Sequence, residues 1–193
     1  MARVLVVYAT SEGHTRKISE RLAEWIRELG HQPTLFDTSS LDLEIEPANF
    51  DEFILAGSLH QGKHQSCLAD FARDHRIELN SKPTAFLSVS LSAITQDEKH
   101  LADCQKCIDG FTADTGLRPV RSLPVAGALL YTKYDFLTKQ FMRMICAKEG
   151  GDTDTSRDFE YTDWEALQSF VESFLANAQP VLQAKARISV ARA

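Results

Sequence analysis

The 193-residue chain has little of what marks secreted, membrane-embedded or nucleic-acid-binding proteins. Only four cysteines occur (Cys67, Cys104, Cys107 and Cys146), too few at this length for a disulfide framework, which fits a reducing compartment. No run approaches the roughly 18 apolar residues that span a bilayer, and the N-terminus lacks the basic start, apolar stretch and small-residue cleavage site of a secretory signal. A cytoplasmic protein is expected. An excess of cations is missing too. The 21 Lys and Arg stand against 27 Asp and Glu, a formal net charge of −6, so nucleic acid, which needs a concentrated positive face, is not expected as a partner. Internal repeats, low-complexity tracts and an interdomain linker are also lacking. With 44% hydrophobic residues the chain can bury a core without disulfides or metal staples.

What is present is an alternation of apolar strands and amphipathic helices. Residues 3–9 (RVLVVYA) form a continuous β-branched and apolar run, the pattern of a strand covered on both faces. In residues 14–29, Ile18, Leu22, Trp25, Ile26 and Leu29 recur at helical spacing, and Gly30 stands where a C-terminal cap belongs. Further strands are predicted at 34–36, 52–56, 83–89 and 120–126, and helices at 65–79, 97–113 and 163–178. The helix at 65–79 should bury Leu68, Phe71, Ala72, His75 and Leu79, and the last helix opens on a capping box of Thr162 and Glu165. Five strands with right-handed crossovers give an α/β fold, a doubly wound parallel sheet. Residues 1–178 are expected to form one domain, with 131–161 as a long insertion between the last strand and the last helix. An excursion of this length, where a few residues would suffice, usually carries function. Residues 179–193 hold Lys185, Arg187 and Arg192 and no acid, and are expected to be a frayed, solvated tail.

In an open parallel sheet, ligands bind beyond the carboxyl ends of the strands, where strand order reverses. The loop after the first strand reads Thr10-Ser11-Glu12-Gly13-His14-Thr15, a T-x-x-G-x-T pattern running into a helix N-terminus. Hydroxyls at Thr10, Ser11 and Thr15, free backbone N–H groups and a glycine for close approach make a cradle for one phosphate. The dinucleotide fingerprint G-x-G-x-x-G and the P-loop G-x-x-x-x-G-K-[ST] are absent, so a mononucleotide fits better than a dinucleotide. At the same edge lie Gly57-Ser58-Leu59-His60-Gln61-Gly62 and Ser88-Val89-Ser90-Leu91, both small and polar. The three loops outline a flat slot suited to a flavin ring.

On these residues the chain resembles the flavodoxin family, which implies the strand order 2-1-3-4-5 and in which such a first loop holds the phosphate of FMN and the two later loops flank the isoalloxazine. The likeness extends to Asn80-Ser81, Pro83, Ala85-Phe86, Ser88-Val89 and Leu91, to Ala126-Gly127-Ala128-Leu129 with Tyr131, to Gly150-Gly151-Asp152-Thr153-Asp154-Thr155, and to Tyr161-Thr162-Asp163-Trp164. In these the chain resembles the menaquinone-dependent protoporphyrinogen IX dehydrogenases of bacterial haem synthesis, over nearly all of residues 1–178. The resemblance implies FMN as cofactor and a six-electron oxidation of protoporphyrinogen IX to protoporphyrin IX in three two-electron steps. The electrons would pass to a membrane quinone, menaquinone or ubiquinone, through a peripheral contact with the cytoplasmic face of the inner membrane. The expected cofactor-binding residues are Thr10, Ser11, Glu12, Gly13, His14, Thr15, Ser58, Ser88, Val89, Ser90, Leu91, Gly127, Gly151, Thr153, Asp154 and Thr155. Gly150 and Gly151 would permit close backbone approach to the flavin, and Thr153 and Thr155 would offer hydroxyls. No catalytic acid or base is named, and a homo-oligomer is left open. The alternatives are a flavodoxin-type electron carrier or an FMN-dependent quinone reductase. Many flavodoxins stack the flavin between aromatic side chains of the second and third loops, and these loops hold no Phe, Tyr or Trp, which leaves a face open to a bulky substrate.

Residues 131–150 carry Lys133, Lys139, Arg143 and Lys148 against Asp135 and Glu149, a local net charge of +2 inside an acidic chain. Tyr131, Tyr134, Phe136, Leu137, Phe141, Met142, Met144 and Ile145 are interleaved with them. An amphipathic basic helix of this composition lies on anionic lipid and would bring a flavin to a dissolved quinone; the alternative is a helix packed on its own domain. Cys104 and Cys107 form C-x-x-C but fall in the helical stripe Leu101, Cys104, Cys107, Ile108, Phe111, with no second pair at zinc spacing, and are assigned to the core. His60, His64 and Cys67 lack a fourth ligand, so no metal is expected. His14 is either a donor to FMN or an exposed helix-start residue.

Overall fold

Val4, Leu5, Val6 and Val7 are shut off from solvent on both sides of their strand, as an unbroken β-branched run requires. The computed structural model describes residues 1–40, 45–94, 97–148 and 152–190. The chain runs through β1 (Arg3–Ala9), α1 (His14–Glu28), β2 (Gln32–Asp37), β3 (Glu52–His60), β4 (Lys63–His64), α2 (Ser66–Asp74), α3 (Arg76–Ser81), β5 (Thr84–Ser90), α4 (Glu98–Thr115), β6 (Arg121–Ala126), β7 (Ala128–Leu129), α5 (Phe136–Lys148), β8 (Phe159–Glu160) and α6 (Trp164–Val190). The five long strands pair in the order β2-β1-β3-β5-β6. All four pairings are parallel, which is the predicted 2-1-3-4-5 order once the two-residue β4 is passed over.

Alternate side chains of the sheet feed two cores. Val4, Val6, Ile54, Ala85 and Leu87 meet Ile18, Leu22 and Ile26 of α1 and Phe170, Val171 and Phe174 of α6. Leu5, Val7, Phe53, Leu55 and Phe86 meet Leu68 and Phe71 of α2, Leu79 of α3, and Ile108 and Phe111 of α4. Helices therefore cover both faces, and the carboxyl ends of the strands converge on one edge. A third, smaller cluster around Leu129, Tyr131 and Cys146 lies apart from the sheet and belongs to the insertion.

Several local expectations change. The predicted helix at 65–79 is two helices, broken at His75 (φ −104°, ψ 20°), and His75 is half-buried against Phe71 rather than sunk in the core. The cap of α6 is not Thr162 but Asp163, whose carboxylate accepts from the Ala166 N–H at 2.9 Å. Thr162 instead donates its hydroxyl to the Ala126 carbonyl at 2.7 Å. Helix α6 runs on through the predicted tail to Val190. Cys104 is buried and Cys107 half-buried on α4, in keeping with a core stripe.

Candidate functional site

Thr10 ends the strand and makes the first contact of the loop, its Oγ1 accepting from the Gly13 N–H at 2.9 Å. That bond turns the chain through Gly13 at φ 95°, a left-handed conformation that glycine adopts freely. Helix α1 then begins with no side-chain cap, so the N–H groups of its first turn face the loop without a side-chain acceptor. Thr15 sits inside this turn, and its Oγ1 is buried with no hydrogen-bond partner among the described residues. An orphaned hydroxyl beside uncapped N–H groups has the chemistry of an anion site. The cations of α1 itself are committed elsewhere: Arg16 donates to Asp37 at 2.9 Å and Lys17 to Glu160 at 2.5 Å.

His14 is not the exposed helix-start residue of one of its two readings. It is buried, not exposed, and its Nε2 lies 2.8 Å from Thr162 Oγ1, with Nδ1 3.9 Å from a Glu160 carboxylate oxygen. Burial pushes its pKa below the usual histidine value, against the opposing pull of Glu160. Its ring therefore ties α1 to the start of α6, and what remains for an anion is its backbone N–H. Because Thr162 also holds the Ala126 carbonyl, one hydroxyl joins the first loop, the end of β6 and the start of α6.

The predicted second loop is not a loop but a hairpin. β3 continues to His60, turns at Gln61 (φ 49°) and Gly62 (φ 78°), and returns as β4 with Leu59 opposite His64. Two central residues at positive φ make the turn that matches strand twist in two-residue hairpins. This return brings His64 and Gln65 among the loops at the carboxyl ends of the strands, where neither was expected. Gln65 Nε2 donates to Ser58 Oγ and, at 3.1 Å, to Ser11 Oγ, so one amide joins the first and second loops. Gln65 Oε1 is buried without a partner among the described residues. His64 Nε2 lies 2.9 Å from Ser88 Oγ, and its ring stands edge-on to Phe86 and Phe111, each 5.1 Å away. Burial lowers the pKa of His64 to about 4, so the imidazole is neutral at physiological pH. A Cβ on Gly57 would come within 2.6 Å of Leu68 Cδ2 and 3.2 Å of His64 Cδ2, so glycine here admits both. The third loop joins the chain just past β6 through the Gly127 N–H, which donates to the Ser90 carbonyl at 3.0 Å. Val89 is buried beneath that junction, and Leu91 leans on the insertion's cluster.

The insertion folds back onto the first loop. Lys133 Nζ donates to the Glu12 carbonyl and the Tyr134 hydroxyl to the Glu12 carboxylate, each at 2.9 Å. Asp152 is held by two phenols: the Tyr131 hydroxyl donates to its carbonyl at 2.8 Å and the Tyr161 hydroxyl to its carboxylate at 2.5 Å. Burial first, and the neighbouring carboxylates second, hold the Tyr134 and Tyr161 phenols far above the usual tyrosine pKa, so both remain donors. Thr153 and Asp154 are exposed and Thr155 is half-buried. Asp154 is spent on its own turn, accepting from the Ser156 N–H at 3.0 Å and facing Arg157 at 3.2 Å. The expected close approach of Gly150 and Gly151 lies outside the described residues. Lys133 and Tyr134 carried a charge and a ring in the sequence but no mark of their target, because the contact spans more than 120 residues. Among the described residues no cluster of His, Cys, Asp or Glu could hold a metal ion.

A doubly wound sheet with an uncapped, hydroxyl-lined helix start at its switch point defines a mononucleotide-binding protein of the flavodoxin type, and the family model of the flavodoxin domain matches residues 5–156. The chain belongs to that family. It is 32% identical over 168 residues to the protoporphyrinogen IX dehydrogenase (quinone) of Escherichia coli (strain K12), covering 87% of this chain and 92% of that one. A protein of the same name from Leishmania major is 29% identical over 178 residues, 90% of this chain and 75% of its own. Among solved structures, oxidised flavodoxin 1 from Bacillus cereus superposes with a TM-score of 0.54 at 17% identity, over 90% of this chain and 97% of that one, a likeness of fold.

Proposed function

We propose that this chain is an FMN-dependent protoporphyrinogen IX dehydrogenase that passes its electrons to a quinone. The observation that carries the reading is its similarity to relatives of that name over nearly the whole of the bacterial one. The residues of the first loop fit the cofactor. A phosphate seated against α1 would satisfy the buried Thr15 hydroxyl and meet the uncapped N–H groups, and the free Gln65 Oε1 offers an acceptor beside the slot. When bound, FMN supplies the two-electron redox chemistry, so protoporphyrinogen IX requires three rounds and three quinones to lose six electrons and six protons. The protein's part is to seat the flavin and to hold Ser58 and Ser88 in place through Gln65 and His64, while second and third loops without Phe, Tyr or Trp would leave one face clear for a bulky substrate. Anaerobic addition of protoporphyrinogen IX to the flavin-loaded protein is expected to bleach the flavin band while porphyrin fluorescence appears, with recovery on adding a quinone. Bleaching by a reduced pyridine nucleotide but not by the porphyrinogen would instead favour a quinone reductase.

Thr15→Ala should weaken FMN by about 1–2 kcal/mol, the value of one charge-assisted hydrogen bond. Fluorescence titration checks this, and unchanged affinity would remove Thr15 from the site.

A peripheral membrane contact is part of the same proposal. Among the described residues no helix is long and apolar enough to cross a membrane. Helix α5 nevertheless turns Phe136 (74% exposed) and Met144 (62% exposed) to solvent, with Gln140 and Arg143 beside them. Exposed apolar side chains flanked by a cation suit an anionic lipid surface. Lys133, expected on that surface, points instead to the first loop. The double variant Phe136→Ser, Arg143→Glu should sediment less with anionic vesicles, since each basic residue near such a surface contributes about 1 kcal/mol. It should also slow reoxidation by a quinone dissolved in the bilayer while sparing a water-soluble one. Equal loss of both rates would make α5 a packed or substrate-covering helix rather than a membrane contact.

A further inference from the structure

We propose that Lys133 is the insertion's own contribution to the phosphate site, pairing with the cofactor's phosphate so that FMN binding and docking of residues 131–148 are one linked equilibrium. This rests on the FMN reading above and adds a binding residue to it. Lys133 closes the single turn Tyr131–Lys133, whose first residue is the fully buried anchor of the insertion. Its ammonium donates to the Glu12 carbonyl at 2.9 Å and lies 3.4 Å from where a Cβ on Gly13 would stand, directly over the helix start. A carbonyl accepts one of the ammonium's three protons and leaves its charge uncompensated. Among the described residues Lys133 has no carboxylate partner, whereas Arg16 and Lys17 on the same helix are each paired to one. The one acid of the first loop, Glu12, is drawn to the insertion by the Tyr134 hydroxyl. The cradle is therefore left with uncapped N–H groups, the orphaned Thr15 hydroxyl and an ammonium with protons to spare, a donor set matched to a dianion.

Linkage makes the effect reciprocal: the factor by which Lys133 strengthens FMN is the factor by which the phosphate strengthens docking of the insertion. Riboflavin has the same ring and no phosphate, so it separates this role from a structural one. The full-length protein, freed of flavin, is titrated with FMN and with riboflavin. Lys133→Met is expected to weaken FMN about tenfold or more, the range of a charge-assisted hydrogen bond, while riboflavin stays within about twofold. Lys133→Arg should restore most of the loss, and raising the salt should shrink the difference because the ammonium is exposed. In hydrogen exchange, FMN should protect residues 131–148 more than riboflavin does in the wild type and equally in Lys133→Met. Equal weakening of both flavins, or of neither, would overturn the proposal while leaving FMN as the cofactor. A wild-type protein that binds neither flavin would overturn the FMN reading and this proposal with it.

Discussion

Glu52→Gln should gain stability relative to the wild type as pH rises from about 4.5 to about 7, by up to about 3 kcal/mol, since each tenfold difference in proton affinity between the folded and unfolded chain is worth about 1.4 kcal/mol. Glu52 opens β3 at the end of the sheet opposite the loops that follow the strands' carboxyl ends. Its side chain is fully buried, and neither carboxylate oxygen has a hydrogen-bond partner among the described residues. Burial, with repulsion from Asp51 added, raises its pKa from 4.5 to about 7, and the chain's amino terminus pulls only weakly the other way. The unfolded chain therefore releases this proton near pH 4.5 and the folded one near pH 7. Between those values the folded state holds the extra proton, and wild-type stability falls as pH rises. His64 acts with the opposite sign. Its folded pKa of about 4 lies below the unfolded value, so its contribution is lost as pH falls from about 6.5 towards 4. The two slopes oppose each other across the overlapping range, and only the difference between wild type and variant isolates Glu52. Urea midpoints measured on flavin-free protein at about pH 4.5, 6 and 8 provide it. A wild-type minus Glu52→Gln difference that does not change with pH would show that this carboxyl titrates normally in the fold.

Tyr131→Ala is expected to undock the insertion while the central sheet stays folded. Tyr131 is 0% exposed, stands edge-on to Tyr134 (centroids 6.0 Å apart) and Phe159 (6.3 Å), and donates its hydroxyl to the Asp152 carbonyl. Cutting a buried aromatic ring to a methyl group costs about 3–5 kcal/mol. The cluster it anchors is separate from the two cores that clasp the sheet, so the loss falls on residues 128–161. Hydrogen exchange there should quicken, FMN affinity should fall as Lys133 and Tyr134 leave Glu12, and the far-UV spectrum of the remaining helices should persist. Tyr131→Phe, which keeps the ring, should lose only about 1 kcal/mol. If Tyr131→Ala unfolds the whole chain in one transition, the insertion is part of the main cooperative unit.

Much of the scaffold was legible because it repeats. The β-branched run at 3–9, the 3.6-residue spacing of Ile18, Leu22, Trp25 and Ile26, and the T-x-x-G-x-T loop each answer to local rules, and the strand order is the one the family resemblance implied. Where two local rules competed, tertiary contacts chose. The capping box with Glu165 marks Thr162 as the cap in the sequence. Asp163 took the role because Thr162 lies under β6, where the Ala126 carbonyl and His14 need its hydroxyl.

The sequence alone determined an α/β sheet with a hydroxyl- and glycine-bearing loop running into a helix after its first strand, since both depend on residues within a few positions of one another. Only the tertiary structure decided that β3 doubles back to bring His64 and Gln65 among the loops, that His14 faces Thr162 rather than the cradle, and that Lys133 and Tyr134 reach Glu12. Each of these is a contact between distant segments, and its direction is set by how the packed sheet and the insertion's own core orient the chain. No spacing within either partner records that orientation.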